Sequence, residues 1–454
     1  MARDIGHDDF SLSRVPMGNK QATWKVTIVR LGGISCLPIL MLGAQLGNGM
    51  TFRDTVLAVL FGSVILQVVG WALGRAASKE GLSTSLFSRW SGFGNIGSAL
   101  IGVVIAVSAF GWFGIQNSVF AGGLYQITGV LNFPIWCIIT GIGTTLIVLY
   151  GFKLMSVVAN IALPLFAAGI IFAFVLMLQG HNIADLAVAP PVGTPIPMPV
   201  AITMVSGAYM VGAVITPDMS RFIAKPKNVF WMVLISTFVG ELGFCMIGSL
   251  MAHAAGTSEI VEIMYTLSGA LGVGLVIFST IKINDLNLYG SSLGITNFLN
   301  ALFGLKPNRG TATLIMGILG TLLSILGILN FFVGFLTLLG VAIPPICGIM
   351  VIDYYVLKRS RKSLQESNDN KGALPKFVEK WNPMAIITWV VASVCGYFLT
   401  FGIASINSLI ISAVLYLVLM LIHKAVTKKD EFKTVEFIAV KQDEAELVAS
   451  KQDE

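Results

Sequence analysis

Three side chains on one predicted helix have the spacing and chemistry of a binding face for a flat ring. Ser108, Trp112 and Gln116 follow one another at intervals of four residues in SAFGWFGIQNSVFAGG (108–123), so they share one helix face. An indole is a plate on which a ring can stack, and a primary amide offers both a donor and an acceptor. The face suits a planar heterocycle with amide-like edges. The alternative is that Trp112 packs against a neighbour and Gln116 bonds another helix.

Charged side chains in apolar surroundings are a second feature. Lys282 follows an apolar run in GLVIFSTIKINDLNLYG (274–290) with Asp285 one turn further on, and Glu241 lies well inside another apolar segment. A lone charge at mid-membrane costs about 2.5–3.5 kcal/mol on insertion scales, so such groups usually pair or serve function. We expect Lys282 to pair with either Asp285 or Glu241; a purely structural ion pair, or a lysine held by helix carbonyls, is the alternative. Arg30 and Asp353, near predicted helix ends, are expected to be interfacial anchors.

The composition defines what surrounds these groups. Hydrophobic residues make up 55% of the 454 residues and charged residues 11%, with a mean hydropathy of +0.84, whereas soluble proteins average about 25% charged residues. The apolar residues come in blocks of about twenty, the length of a membrane-spanning helix. The sequence therefore predicts an all-α polytopic membrane protein. The polar N-terminal stretch has no apolar core and does not resemble a cleaved signal.

Several classes of function lack support in the sequence. The five cysteines and four histidines are scattered without metal-ligand spacing, so we expect no metal site of the zinc type and no cofactor. There is no G-x-x-x-x-G-K-[ST] loop for ATP-driven pumping. Nothing indicates an enzyme, a nucleic-acid partner or the repeated pore motif of a channel.

The apolar blocks predict twelve transmembrane helices, the third and eighth long enough to tilt or bend. Lysine and arginine concentrate in the loops after even-numbered spans, which by the positive-inside rule places both termini in the cytoplasm. We expect a multi-pass protein of the plasma membrane, the inner membrane of a bacterium. The predicted spans are 27–48, 54–74, 94–121, 130–150, 153–178, 196–216, 228–252, 263–297, 311–331, 333–357, 382–402 and 404–423.

A long basic loop divides ten spans from a final pair, and the ten suggest two sets of five. Because five is odd, the second set would enter the membrane inverted. Glycine with proline weakens a helix and occurs in the first span of each set, in LGGISCLP (31–38) and VSGAYMVGAVITP (205–217); the alternative is glycine used only for close packing. The predicted units are a tail (1–26), two five-helix repeats (27–178 and 196–357), the basic loop (358–381), two final helices (382–424) and a second tail (425–454).

Five short motifs occur in a familiar order. They are GNGMTFRDTVLAVLFGS, GWFG, TPDMSRF, INDLNLYGSSLG and AIPPICGIMVIDYYVL. With this order and spacing the chain resembles the nucleobase:cation symporter-1 family, most of all its cytosine-permease branch. The resemblance implies a LeuT-type 5+5 inverted repeat plus two C-terminal helices. It also implies secondary active uptake of a nucleobase or related small heterocycle, usually driven by sodium or protons.

The resemblance also assigns substrate-binding positions. Trp112 stands at the family's stacking position, and Gln116 matches a glutamine that bonds the ring in hydantoin-type members. Tyr209 replaces a phenylalanine that contacts the base, and Ser279 replaces an asparagine near it. Ser108 completes the predicted face. Residues that bond cytosine in its own branch become Ala109 and Val211, so that hydrogen-bonding pattern is not retained.

The family's sodium site is altered as well. Two adjacent hydroxyl residues that ligate the cation in sodium-coupled members correspond to Lys282 and Ile283, and isoleucine cannot ligate sodium. We therefore expect transport without sodium, either proton-coupled through Lys282, Glu241 or Asp285, or uncoupled. The expected partners are a small heterocycle, the lipid bilayer and in the first case a proton. The alternatives are a carrier of a vitamin precursor, such as a pyrimidine fragment of thiamine, and an ion-independent exchanger.

Overall fold

The structure, a computed structural model, describes residues 10, 13–150, 165, 168–303, 305, 307–370 and 372–437. Within these ranges the side chains of Lys282, Asn300 and Ala301 are not described. Most of predicted span 5 and the end of the C-terminal tail lie outside them.

Among the described residues, the first half of the chain contains eight α-helices. They are α1 (Thr23–Ile34), α2 (Leu37–Gly49), α3 (Phe52–Glu80), α4 (Thr84–Ser88), α5 (Gly94–Thr128), α6 (Phe133–Leu149), α7 (Ala168–Gly180) and α8 (Ile183–Val188).

The described part of the second half contains eleven α-helices and two short strands. The helices are α9 (Met198–Val214), α10 (Thr216–Ser220), α11 (Val229–Ile235), α12 (Gly243–Ala255), α13 (Ile260–Phe303), α14 (Arg309–Ile325), α15 (Phe332–Ala342), α16 (Pro344–Val351), α17 (Arg361–Asp369), α18 (Pro383–Phe398) and α19 (Ala404–Thr427). A π-helical segment, Ser236–Leu242, joins α11 to α12, and another, Ile352–Leu357, continues α16. Strands β1 (Phe377–Glu379) and β2 (Thr434–Glu436) pair antiparallel.

The apolar helices agree with the predicted spans. Among the described residues, six helices are long and apolar enough to cross a membrane, or seven if α1 and α2 form one bent span. Five shorter apolar helices, α6, α7, α9, α14 and α18, account for the other predicted spans. The predicted polytopic all-α fold is confirmed.

Both glycine–proline motifs contain a helix break. The axes of α1 and α2 differ by 54°, and Cys36 between them is extended, with φ −143° and ψ 165°. In the sixth span the break lies at Ile215 (ψ 10°), where α9 ends and α10 begins with Thr216 and Pro217. The predicted bend of the eighth span also exists: α13 changes direction at Gly269, whose φ of 62° favours glycine.

The N-terminal segment is fastened to the end of the bundle that carries the basic loops. Buried Arg14 pairs with Glu80 of α3 at 3.2 Å and donates to the carbonyl of Leu364 on α17 at 2.8 Å. The backbone N–H of Gln21 donates to the carbonyl of Phe222 at 2.7 Å. This segment therefore joins α3 to the loops that follow α10 and α16.

Asp353 differs from the interfacial anchor expected from the sequence. It is 0% exposed and accepts hydrogen bonds from Arg359 at 2.7 Å and from Tyr416 of α19 at 2.6 Å. Arg359 also pairs with Glu379 of β1 at 2.7 Å. The anchor prediction was wrong because the loop after α16 folds back over the end of its own span.

Candidate functional site

Trp112 lies on α5 beside two aromatic rings of α15. Its indole is half-buried and meets Phe335 at 5.2 Å and Phe332 at 6.1 Å between ring centroids, both in T-shaped geometry. Glycine at position 111 leaves the space that the Phe335 ring occupies. Among the described rings none stacks face to face on Trp112. Its contacts with Phe332 and Phe335 therefore do not exclude stacking of its indole on a substrate ring.

Gln116, one turn further along α5, is a buried amide without a partner. It is 0% exposed, and neither its oxygen nor its nitrogen has a hydrogen-bond partner among the described residues. Its neighbour Asn117 is equally buried but donates to the carbonyl of Cys137 at 3.0 Å and to Ser324 at 3.1 Å, and accepts from Thr140 at 2.8 Å. Leaving a buried polar group unsatisfied costs about 1–3 kcal/mol. The interhelical bond considered for Gln116 is thus made by Asn117 instead.

The contacts between α5 and α13 fix the level of each side chain. Gly123 packs against Ile277, and Ala106 packs against Gly294, so the two helices run antiparallel. Interpolation between these contacts, at about 1.5 Å per residue, places position 284 level with Gln116. Asn284 is also 0% exposed with neither amide atom bonded to a described residue.

Asn284 was missed by reasoning from the sequence. It belongs to the quoted INDLNLYG motif, but the motif alone does not show which side of α13 it occupies. The structure therefore adds Asn284 to Trp112 and Gln116 as a candidate for binding the substrate.

Ser108 and Ser279 are not brought together. Both are buried, at 3% and 2% exposure, but the same interpolation separates their levels by about 20 Å along the helices. One small ring cannot contact both. Ser108 lies toward the Ala106 end of the interface and Ser279 toward the Gly123 end, with Trp112 and Gln116 between them.

Tyr209 belongs to a second group, at the break of the first span. The tyrosine ring is half-buried on α9, with its hydroxyl oxygen 3.6 Å from the position a Cβ would take at Gly33. The Arg30 guanidinium lies over the ring, 5.4 Å from its centroid. Arg30 is 1% exposed and donates to the carbonyl of Gly212 at 3.1 Å and to the hydroxyl of Thr216 at 3.0 Å. The expectation that Arg30 is an interfacial anchor was wrong, because the first span packs against the α9–α10 break.

Glu241 completes this second group. The carboxyl is 0% exposed in the π-helical segment and accepts a hydrogen bond from Ser63 of α3 at 2.9 Å. Its other oxygen has no hydrogen-bond partner among the described residues. Glu241 interacts electrostatically with both Arg30 and Tyr209. A buried acid and a buried base thus lie close together beside a broken helix.

The proposed ion-coupling residues of α13 are only partly described. The side chain of Lys282 lies outside the described residues, so its partner, Asp285 or Glu241, stays undecided. Asp285 is 1% exposed. Ile283 is half-buried and packs against the main apolar core.

The candidate residues that the structure brings together therefore form two groups. Trp112, Gln116 and Asn284 lie at the interface of α5 with its neighbours, and Tyr209 lies with Arg30 and Glu241. No hydrogen bond or ring contact between described residues joins Tyr209 to Trp112. This arrangement of apolar helices, a broken first span and buried polar groups at mid-helix defines a multi-pass membrane transporter.

Comparison with known proteins identifies its family. Residues 15–419 match the family described as permease for cytosine/purines, uracil, thiamine and allantoin. The chain belongs to this family, also called nucleobase:cation symporter-1, and the predicted class of secondary transporter is confirmed. Its curated relatives are permeases rather than enzymes.

Individual relatives cover most of the chain. The cytosine permease of Escherichia coli strain K12 is 29% identical over 416 residues, 91% of this chain and 94% of the relative. The hydantoin permease of Microbacterium maritypicum is 24% identical over 409 residues, 84% of this chain and 81% of the relative.

Solved structures confirm the LeuT-type fold. A nucleobase-cation-symport-1 transporter in a closed conformation with bromovinylhydantoin bound matches with a TM-score of 0.70 at 18% identity, over 92% of this chain and 96% of that chain. An inward-facing structure matches with a TM-score of 0.72 at 19% identity, over 92% and 95%.

Proposed function

We propose that this protein carries a nucleobase or closely related planar heterocycle into the cell without sodium. It lies in the plasma membrane with its basic loops and both termini in the cytoplasm. The observation that carries the proposal is the pair Trp112 and Gln116: a half-buried indole without a stacking partner, next to a buried amide without a protein partner among the described residues. A ring stacked on Trp112 with its amide edge toward Gln116 satisfies both groups.

The relatives support this class of substrate and leave its identity open. Cytosine and hydantoin, named in two relatives, are flat rings with amide-like edges. Ala109 and Val211 replace the cytosine-bonding residues of the related branch. Asn284, level with Gln116, adds a second amide on the opposite helix. A purine, a pyrimidine or a hydantoin therefore remains the candidate class.

The coupling ion is proposed to differ from sodium because of position 283. Ile283 packs an apolar side chain against the core, where sodium-coupled members supply a hydroxyl ligand. Protonation of Glu241, Lys282 or Asp285 is the proposed replacement. If Lys282 instead keeps a fixed positive charge, the protein is an ion-independent exchanger.

The test uses purified full-length protein in proteoliposomes. A thermal-shift screen of purines, pyrimidines and hydantoins first selects the labelled ligand. Uptake of that ligand at fixed pH should be equal in sodium and in choline buffers. A clear sodium dependence would overturn the proposal for this site.

A pH gradient imposed without sodium then distinguishes proton-coupled transport from ion-independent exchange. Accumulation driven by the gradient indicates proton coupling, and counterflow without accumulation indicates an exchanger. The variant Lys282→Thr should remain sodium-independent because Ile283 still lacks a hydroxyl. The double variant Lys282→Thr/Ile283→Thr should gain sodium dependence.

A further inference from the structure

A cavity of about 270 Å³ opens at the end of the bundle opposite the basic loops. It lies between the ends of α2 and α5, the starts of α6 and α13, and the turn before α15. We call it the mouth cavity; its lining includes Gln45, Ser118, Phe133, Glu259, Asn330 and Phe332. Small-molecule sites commonly have volumes of about 300–1,000 Å³, so this cavity suits one or two fused rings rather than a larger ligand.

Three polar side chains of the mouth cavity have no hydrogen-bond partner among the described residues, whereas Ser118 donates to the carbonyl of Gly114 at 3.0 Å. Gln45, Glu259 and Asn330 make no side-chain hydrogen bond to any residue that the structure describes. Two amides and one carboxylate thus converge on a cavity that also contains aromatic rings. Amides offer donors and acceptors, and a carboxylate accepts from N–H groups, so the set complements a ring with an amide or amidine edge.

Two aromatic side chains form part of the apolar lining of the same cavity. Phe133 is half-buried at the start of α6, and Phe332 is 5% exposed at the start of α15. Both line the cavity. Rings and a few convergent polar groups are the usual composition of a site for a small organic ligand.

One aromatic residue adjoins both the mouth cavity and the proposed central site. Phe332 lines the cavity and also contacts the indole of Trp112, at 6.1 Å between centroids. Val119, seven residues after Trp112 and therefore on the same face of α5, is another lining residue. A ligand that moves along this face from the mouth reaches Trp112 after passing Phe332.

We propose that the mouth cavity is an outer subsite that binds the same class of planar heterocycle before it passes Phe332 to the central site. Gln45, Asn330 and Glu259 bind the polar edge of the ring, and Phe133 and Phe332 contact its faces. The proposal rests on the proposed function, since it takes its ligand class and direction of entry from it.

The experiment counts binding sites on the purified full chain with labelled adenine, cytosine, uracil and hydantoin as probes. We expect two classes of site in the wild type. Trp112→Ala should weaken the tighter class about tenfold to a hundredfold and leave the weaker class unchanged. The added changes Gln45→Leu and Asn330→Leu should abolish the weaker class. These two changes should leave the fold intact, since neither side chain bonds a described residue; thermal unfolding checks this.

Transport gives a second, independent readout. In proteoliposomes, Gln45→Leu/Asn330→Leu should raise the KM of uptake about fivefold to tenfold, as expected for a lost hydrogen bond. The affinity of the central site should stay within about twofold. Gln365→Leu, a change of an exposed amide on α17 at the opposite end, is the matched control and should alter neither quantity.

The outcomes separate the two proposals. A single class of site in the wild type, weakened in Trp112→Ala, overturns the outer subsite and leaves the proposed function standing. An unchanged KM in the double variant also overturns it. No binding of any probe by the wild type overturns the proposed function, and the subsite with it.

Discussion

The guanidinium of Arg30 in α1 donates to the carbonyl of Gly212 at the end of α9 and to the hydroxyl of Thr216 at the start of α10. One side chain therefore spans the break of the sixth span, a few residues before the break of its own span. Relative motion of α1 against α9 and α10 must carry Arg30 along or break these hydrogen bonds.

The pair Arg30 and Glu241 should be energetically coupled. Arg30→Gln removes the hydrogen bonds to the helix break and leaves the buried Glu241 without its positive neighbour, so we expect lower thermal stability. Adding Glu241→Gln should recover part of the loss, with an interaction energy of about 0.5–3 kcal/mol. Thermal unfolding of the wild type, both single variants and the double variant measures it. Strictly additive effects would show that the two charges are independent.

Glu241→Gln should also separate binding from coupling. The variant keeps a hydrogen-bonding group beside Ser63 but cannot lose or gain a proton. If Glu241 is the coupling residue, accumulation driven by a pH gradient should disappear while counterflow continues. Glu366→Gln, an exposed carboxyl on α17, is the control and should accumulate ligand as the wild type does. Gradient-driven accumulation by Glu241→Gln would assign the proton to another residue.

Trp112→Ala should weaken central binding strongly. Stacking of a base on an aromatic side chain contributes about 1–3 kcal/mol in nucleic-acid systems, which corresponds to roughly tenfold to a hundredfold in affinity. Trp112→Phe should retain most of the affinity because an aromatic ring remains on which the ligand can stack. Trp231→Ala, at a 58% exposed tryptophan, controls for loss of an indole as such. Unchanged affinity in folded Trp112→Ala would contradict the stacking role.

Gln116 and Asn117 should respond in opposite ways to leucine. Asn117→Leu breaks bonds to Cys137, Ser324 and Thr140 and should destabilise the protein by about 1–3 kcal/mol. Gln116→Leu breaks no bond to a described residue, so its melting temperature should be equal to or above that of the wild type. Its ligand affinity should nevertheless fall, most for ligands with an exocyclic oxygen or amine. An equal loss for every ligand, with a lower melting temperature, would instead indicate damaged packing.

Lys20 should make stability depend on alkaline pH. Burial, and then the positive charge of Arg221, lower its pKa to about 8, below about 10.4 in the unfolded chain. Between these values the unfolded state binds more protons, so stability rises with pH. The melting temperature of the wild type minus that of Lys20→Met should therefore increase from pH 7.5 to 10. Lys25→Met, at an exposed position, is the control; a flat difference for Lys20→Met would contradict the assignment.

Features that lie within one helix could be predicted from the sequence. The spans follow from hydrophobic length, and the two breaks follow from glycine with proline at matched places. The face of Ser108, Trp112 and Gln116 follows from the helical repeat. Each depends on neighbours in the chain, so no knowledge of packing was needed.

Features that depend on packing between helices could not be predicted from the sequence. Arg30 and Asp353 lie near helix ends in the sequence, and only the tertiary fold shows that other segments cover them. The level of Asn284 with Gln116, and the separation of Ser108 from Ser279, depend on the antiparallel alignment of α5 with α13. Periodicity within one helix does not determine which residue of another helix it meets.

The contacts of the N-terminal segment set an order for biosynthesis. Arg14 bonds the carbonyl of Leu364, 350 residues later in the chain. At about 5–20 residues per second, a ribosome needs roughly 18–70 s to make that stretch. During this time the first segment to be synthesised lacks that partner, and the bundle end that it fastens cannot be completed. Assembly of this end must therefore be among the last events of membrane insertion, after α17 has been made.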